Sequence, residues 1–221
     1  MLEKPEDELE LSDGAVRARS DSNQFITLAD LALQLSPAVA GKLPEGFETA
    51  GLEAVSYQTT DYMPHSSGAN IAKVEVDVVT GGIKILDYYV VHDCGRILNP
   101  MIVDGQIIGG VVHGIGNAMF EQMVYDDSGN PMTTNYGDYL LPLASEMPEI
   151  HVAHIETPSP ANPMGLKGAG EGGTIPAIGA MINAIEDALT PFDAYIAKYP
   201  VTPEYILAVS YTHLTLPTTT I

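Results

Sequence analysis

Glu171 closes a glycine-rich run, Lys167-Gly-Ala-Gly-Glu171, that passes through Gly172 and Gly173 into an apolar segment from Ile175 to Leu189. A glycine-rich turn feeding a helix exposes unpaired N–H groups and the positive end of the helix dipole, a natural place for an anion or an oxo group. A carboxylate there admits two roles: it is stabilised by the dipole, or it accepts a proton in a reaction. The dipole lowers its proton affinity and burial raises it, so the residue types alone leave both roles open. Gly168, Gly170 and Gly173 also satisfy G-x-G-x-x-G, and Asp193 follows at about the 20-residue distance of a dinucleotide fingerprint. That fingerprint needs a buried strand directly before its first glycine, and residues 158–167 offer three prolines and no Val or Ile run. The fingerprint is therefore read as a decoy, and what survives is a glycine-rich turn at a helix start, a place for an anion or an oxo group.

Metal ligation by side chains finds little support. His151 and His154 are three apart in the strand-like Ile150 to Ile155, which puts them on opposite faces. Cys94 is the single cysteine, so it can neither close an internal disulfide nor build a thiolate site alone, and the cytoplasm is the default compartment. A small buried thiol is its expected role. Arg96 and Lys167 could position anionic groups or simply be surface charges.

The elements that must position these residues can be outlined from periodicity. The segment from Glu8 to Ala18 reads as two short strands joined at Asp13-Gly14, and Thr27 as the cap of a helix over Leu28 to Leu35. Pro37, Pro44 and the glycines between Gly41 and Gly51 suggest a connecting loop. Val74, Val76 and Val78 alternate with charged residues, and Thr80-Gly-Gly82 turns the chain into Ile83 to Val91, the clearest hairpin in the sequence. Asn99-Pro100 then opens a helix in which Val103, Ile107, Val111, Ile115 and Met119 recur every fourth residue. Gly105, Gly109, Gly110, Gly114 and Gly116 interrupt it, each costing about 1 kcal/mol against Ala. Such a cost is explained by close approach of a backbone or ligand, or by a kink. Residues 126–130 form a turn, and the helix from Ile175, with few polar residues, is expected to be largely buried before Pro191 ends it. Residues 209–221 lack periodicity, resemble a translated transposase adapter, and are set apart as a tail from residues 1–208.

Nine Lys and Arg against 29 Asp and Glu give a net charge of −20, which would repel phosphate backbones and anionic lipid, so nucleic acid is not an expected partner. No stretch approaches the roughly 18 uninterrupted apolar residues of a membrane span.

Taken in order, Asp93-Cys-Gly-Arg-Ile-Leu-Asn-Pro100, Gly105-Gln106, Gly109-Gly110, Gly114-Ile-Gly116, Asp138-Tyr-Leu-Leu-Pro142, Asn162-Pro163 and Lys167-Gly-Ala-Gly-Glu171 resemble the molybdenum hydroxylase family. The likeness is to the C-terminal part of the molybdopterin-binding region of xanthine oxidase, aldehyde oxidoreductase and carbon monoxide dehydrogenase large subunits, from about Glu8 to Ala208. Several motifs in the right order are far more specific than any one of them. The resemblance implies an α+β fold, β-hairpins with packed helices around a core completed by further sequence. It implies molybdenum held by a pterin, with the cytosine dinucleotide form expected from the prokaryotic look of the sequence, and no protein side chain as metal ligand. Glu171 would face the metal as catalytic base. Gln106 would hydrogen-bond the pterin, and the backbone of Gly168, Ala169 and Gly170 would approach the cofactor. Electrons would leave through 2Fe-2S clusters to FAD, on an iron-sulfur small subunit and an FAD medium subunit, in a dimer of heterotrimers. Aldehyde, N-heterocycle and carbon monoxide all remain as substrates. A family member has several hundred further residues upstream, so the chain is expected to be a fragment. A nucleotide-binding module and a noncatalytic scaffold are the two alternative readings.

Overall fold

The computed structural model describes residues 2–38, 43, 50–53 and 55–211, and the chain divides into two units, Met1–Thr59 and Thr60–Ile221. In the first, β1 (Leu9–Ser12), β2 (Ala15–Ala18) and β3 (Asp21–Thr27) form an antiparallel sheet in that order. The expected hairpin turns at Asp13 and Gly14, both with positive φ. α1 (Leu28–Gln34) follows at once, and Thr27 Oγ1 accepts from the Asp30 N–H at 3.0 Å, as its capping role predicts. The strand β3 was not foreseen: Asp21, Ser22, Asn23 and Gln24 are exposed and give no apolar alternation. Most of the loop expected between Pro37 and Gly51 lies outside the described residues.

The second unit is built on a mixed three-stranded sheet in the order β4 (Ser67–Val76), β5 (Ile83–Asp93), β6 (Ile150–His154). β4 and β5 are the antiparallel hairpin read from the alternation, and β6 runs parallel to β5 with Tyr88 opposite Ile150 and His92 opposite His154. Lys73 pairs with Asp87 but Val74 with Ile85, so β5 carries one extra residue, Leu86. This bulge shifts the inward-facing parity of the strand, from Ile85 before it to Tyr88, Val90 and His92 after it.

α2 (Pro100–Met119) and α3 (Thr174–Ala188) pack on each other, α3 also on β4 and α2 on β6. Asn99 caps α2 by accepting the Ile102 N–H at 3.3 Å, with Pro100 in the first turn. Ile107, Val111 and Ile115 meet Met181, Ile185 and Leu189 in a fully buried core that also takes in Tyr88 and Ile206. α3 is less enclosed than its composition suggests. Its buried stripe is Ala177, Met181 and Ile185, whereas Ile175, Gly179, Asn183 and Asp187 are exposed. α4 (Pro203–Tyr211) extends through Val209, Ser210 and Tyr211; the remainder of the expected tail lies outside the described residues. The fold is α+β.

The five helix glycines divide into groups. A Cβ on Gly110 would lie 3.0 Å from the Gly173 Cα, and one on Gly114 would lie 2.6 Å from both the Ala177 Cβ and the Thr174 carbonyl oxygen. These two let α2 and the start of α3 touch backbone to backbone. Gly116 faces Glu121 and Pro142, while Gly105 and Gly109 face open space.

Candidate cofactor and catalytic site

Every residue expected at the site lies on α2 or on the loop before α3. Gln106 Nε2 donates to the Gly170 carbonyl at 3.0 Å, tying α2 to the loop. Glu171 precedes α3 by one turn, its carbonyl accepting the N–H groups of Thr174 at 3.1 Å and Ile175 at 3.2 Å. The residue at the cap position is Gly173, which makes no side-chain cap. Among the described residues, the exposed Glu171 carboxylate has neither a hydrogen bond nor an ion pair, so it does not act as the helix cap.

Glu171 lines two cavities. One, of about 580 Å³, lies between residues 63–68, His92 and the loop, with Gly168, Gly170 and Glu171 in its wall. The other, of about 260 Å³, lies between Gly105, Gln106, Gly109 and His113 on α2 and Gly170, Glu171 and Thr174. A Cβ on Gly168, Gly170, Gly105 or Gly109 would meet nothing within 4 Å. The backbone of Gly168 and Gly170 before Glu171, and of Gly105 and Gly109 on α2, therefore faces open space, whereas Gly172 and Gly173 after it are packed against His92 and α2. Ala169 lines neither cavity. A larger hollow of about 710 Å³, walled in part by Ile85, Phe120, Met147 and Val201, contains none of the expected site residues.

His92 is a site residue that the sequence reading missed. It is 2% exposed, and neither ring nitrogen has a hydrogen-bond partner. A Cβ on Gly172 would collide with His92 Nε2, so the loop beside Glu171 rests directly on the imidazole. Burial pushes its proton affinity down, the neighbouring His154 adds to this, and Asp93 opposes it. The signal available in sequence was the inward parity of Tyr88 and Val90, but it is legible only once the Leu86 bulge is known.

His154 sits edge-on to His92, ring centroids 6.5 Å apart, and its Nε2 lies 2.6 Å from Asp104 Oδ1. His151 stacks on Tyr89 at 4.7 Å. The two β6 histidines thus have separate partners, as their opposite-face spacing predicts. Cys94 is buried, and burial is the leading cause of its raised thiol proton affinity. Lys167 is neither a surface charge nor a free cation: its Nζ lies 3.1 Å from Asp93 Oδ2. The strand demanded by a dinucleotide fingerprint is missing, because β6 ends at His154 and only an isolated bridge between Gly95 and Leu166 precedes Gly168.

Comparison with known proteins supplies the family. The molybdopterin cofactor-binding domain family matches residues 1–148. The nicotine 6-hydroxylase large subunit of Paenarthrobacter nicotinovorans is 42% identical over 94% of this chain and 25% of its own length. The carbon monoxide dehydrogenase large chain of Hydrogenophaga pseudoflava is 37% identical over 85% of this chain and 23% of its own. The crystal structure of quinoline 2-oxidoreductase from Pseudomonas putida 86 superposes with a TM-score of 0.78 at 36% identity, covering 95% of this chain and 26% of that one. The chain spans about a quarter of the length of the relatives it matches. With its family match reaching from residue 1 to residue 148 and its α+β fold shared with these oxidoreductases, the chain belongs to the molybdenum hydroxylase family.

Proposed function

We propose that this chain forms part of the large subunit of a molybdopterin-dependent hydroxylase, and that Glu171 is its catalytic base. The observation that carries the reading is the unpartnered carboxylate of Glu171, a residue that lines two open cavities, next to the unobstructed backbone of Gly168 and Gly170. These residues fit a pterin cofactor: Gly168 and Gly170 leave room for close approach, and Gln106 borders the smaller cavity with its amide already anchored to the loop. Ala169 would contribute backbone only. When bound, the cofactor supplies the two-electron redox chemistry. The protein's share is position and proton transfer, with Glu171 taking a proton from the attacking oxygen nucleophile as it reaches the substrate carbon.

An N-heterocycle is the favoured substrate class, supported by relatives named for nicotine and quinoline; aldehyde and carbon monoxide are the alternatives. The cytosine dinucleotide form of the pterin, an iron-sulfur small subunit, an FAD medium subunit and a dimer of heterotrimers complete the proposal. It is tested in the large subunit carrying this sequence, purified with its partners and assayed by dye reduction with all three substrate classes. Glu171→Gln should abolish turnover while molybdenum content stays at the wild-type level; retained turnover would refute the assignment.

A further inference from the structure

We infer that Lys167 is a positioning residue for Glu171, acting through a buried ion pair with Asp93 and binding no anion of its own. This rests on the reading of Glu171 as the base. The Lys167 and Asp93 side chains are 13% and 10% exposed, and the Nζ to Oδ2 distance is 3.1 Å. The other oxygen of Asp93 accepts the Gly95 N–H at 2.8 Å and the Thr157 N–H at 3.1 Å. One carboxylate therefore joins three stretches of chain: the end of β5, the segment after β6, and the loop that carries Glu171. Burial alone would raise its proton affinity, but the hydrogen bonds from Thr157, Gly95 and Lys167 outweigh it and hold the group ionised.

The backbone repeats the attachment. The Lys167 N–H donates to the Cys94 carbonyl at 2.8 Å and the Arg96 N–H to the Gly165 carbonyl at 3.0 Å. Asn162 clamps Leu166 from both sides, accepting its N–H at 2.9 Å and donating to its carbonyl at 2.8 Å. Beyond Lys167 the anchoring thins: Gly168 and Gly170 have open space on their side-chain faces, and the bond from Gln106 to the Gly170 carbonyl is the next attachment. Glu171 is thus held between the Lys167 anchor and the first turn of α3.

A buried ion pair is weak evidence for stability, since desolvating two charges consumes most of what their attraction returns. What a charged, hydrogen-bonded pair supplies here, and an apolar pair would not, is a fixed direction and register for the loop. An ammonium bound to Asp93 is also not free to hold phosphate or a carboxylate ligand, because leaving would strand a buried carboxylate.

The test is hydrogen exchange of the amides from residue 166 to residue 173, with kcat, KM and molybdenum content measured on the same large subunit. Lys167→Met should speed exchange in that segment and lower kcat by roughly 10–100-fold, with KM and molybdenum content unchanged. Lys167→Arg should restore most of both, and Asp93→Asn should reproduce the loss, which covers the case of a variant that fails to fold. A raised KM or lost molybdenum with normal exchange would overturn the inference in favour of anion binding. Faster exchange spread over the whole unit with kcat unchanged would overturn it in favour of a purely structural pair. If Glu171→Gln stays active, the base assignment fails separately, and the exchange data still decide whether Lys167 fixes the loop.

Discussion

The imidazole of His92 is the polar group in the described core with both heteroatoms unpaired, and its environment makes it sensitive to acid. Its folded-state proton affinity is depressed, chiefly by burial and then by His154, with Asp93 opposing; Asp104, on α2, faces the same pair through His154. A depressed value means that the unfolded chain binds the proton more readily, so the stabilising contribution is present above the ordinary histidine value of 6.5 and is lost as pH falls below it. Asp93 is depressed as well, but its loss begins only below the ordinary carboxylate value of 3.8, which separates the two windows. Thermal melts between pH 5 and pH 8 should therefore show stability declining toward the acid end, and His92→Leu should flatten that dependence. An unchanged slope in the variant would assign the acid sensitivity to another group. Glu171 is singled out in sequence by a glycine-rich run, while its proposed role comes from the resemblance. His92 is not singled out, because a lone histidine in an apolar strand carries no comparable mark.

At the scale of elements, α2 shows why identical residues need different explanations. The fourfold spacing of Val103, Ile107, Val111, Ile115 and Met119 identifies the buried stripe correctly, and Asn99-Pro100 the start. The glycines could only be flagged as expensive, since their roles depend on what lies opposite. Gly114→Ala would place a Cβ 2.6 Å from the Ala177 Cβ and the Thr174 carbonyl, forcing α2 and α3 apart at a cost of about 1–3 kcal/mol. Gly105→Ala and Gly109→Ala meet open space and should stabilise the helix by about 0.5–1 kcal/mol each. Chemical denaturation of the three variants measures the contrast, and equal effects at all three positions would refute the division. The hairpin of β4 and β5 was legible from alternation, whereas the parallel docking of β6 was not, because periodicity within a strand says nothing about its distant neighbour. The bulge at Leu86 escaped for a related reason: Lys84, Asp87 and the two tyrosines break the apolar pattern of β5 on both faces.

For the whole molecule, the proposed function makes the candidate site one wall of a larger enclosure. Glu171, Gln106 and the glycines all come from α2 and one loop, and both cavities beside Glu171 are open at the surface. A pterin cofactor retained against dilution needs contacts from several directions, because the lost freedom of a bound ligand must be offset by many interactions at once. The relatives are about four times as long as the stretch they share with this chain, and under the proposed function the opposing walls belong to that further length. Ile175, 69% exposed and in the wall of the larger of these two cavities, is an apolar side chain that such a wall would cover. The 221-residue chain purified alone should therefore contain far less than one molybdenum per polypeptide by elemental mass spectrometry, while the large subunit with its partners should approach one. Stoichiometric metal in the isolated chain would mean that α2 and the Glu171 loop suffice to hold the cofactor, and the shared-enclosure view of the site would then have to be abandoned.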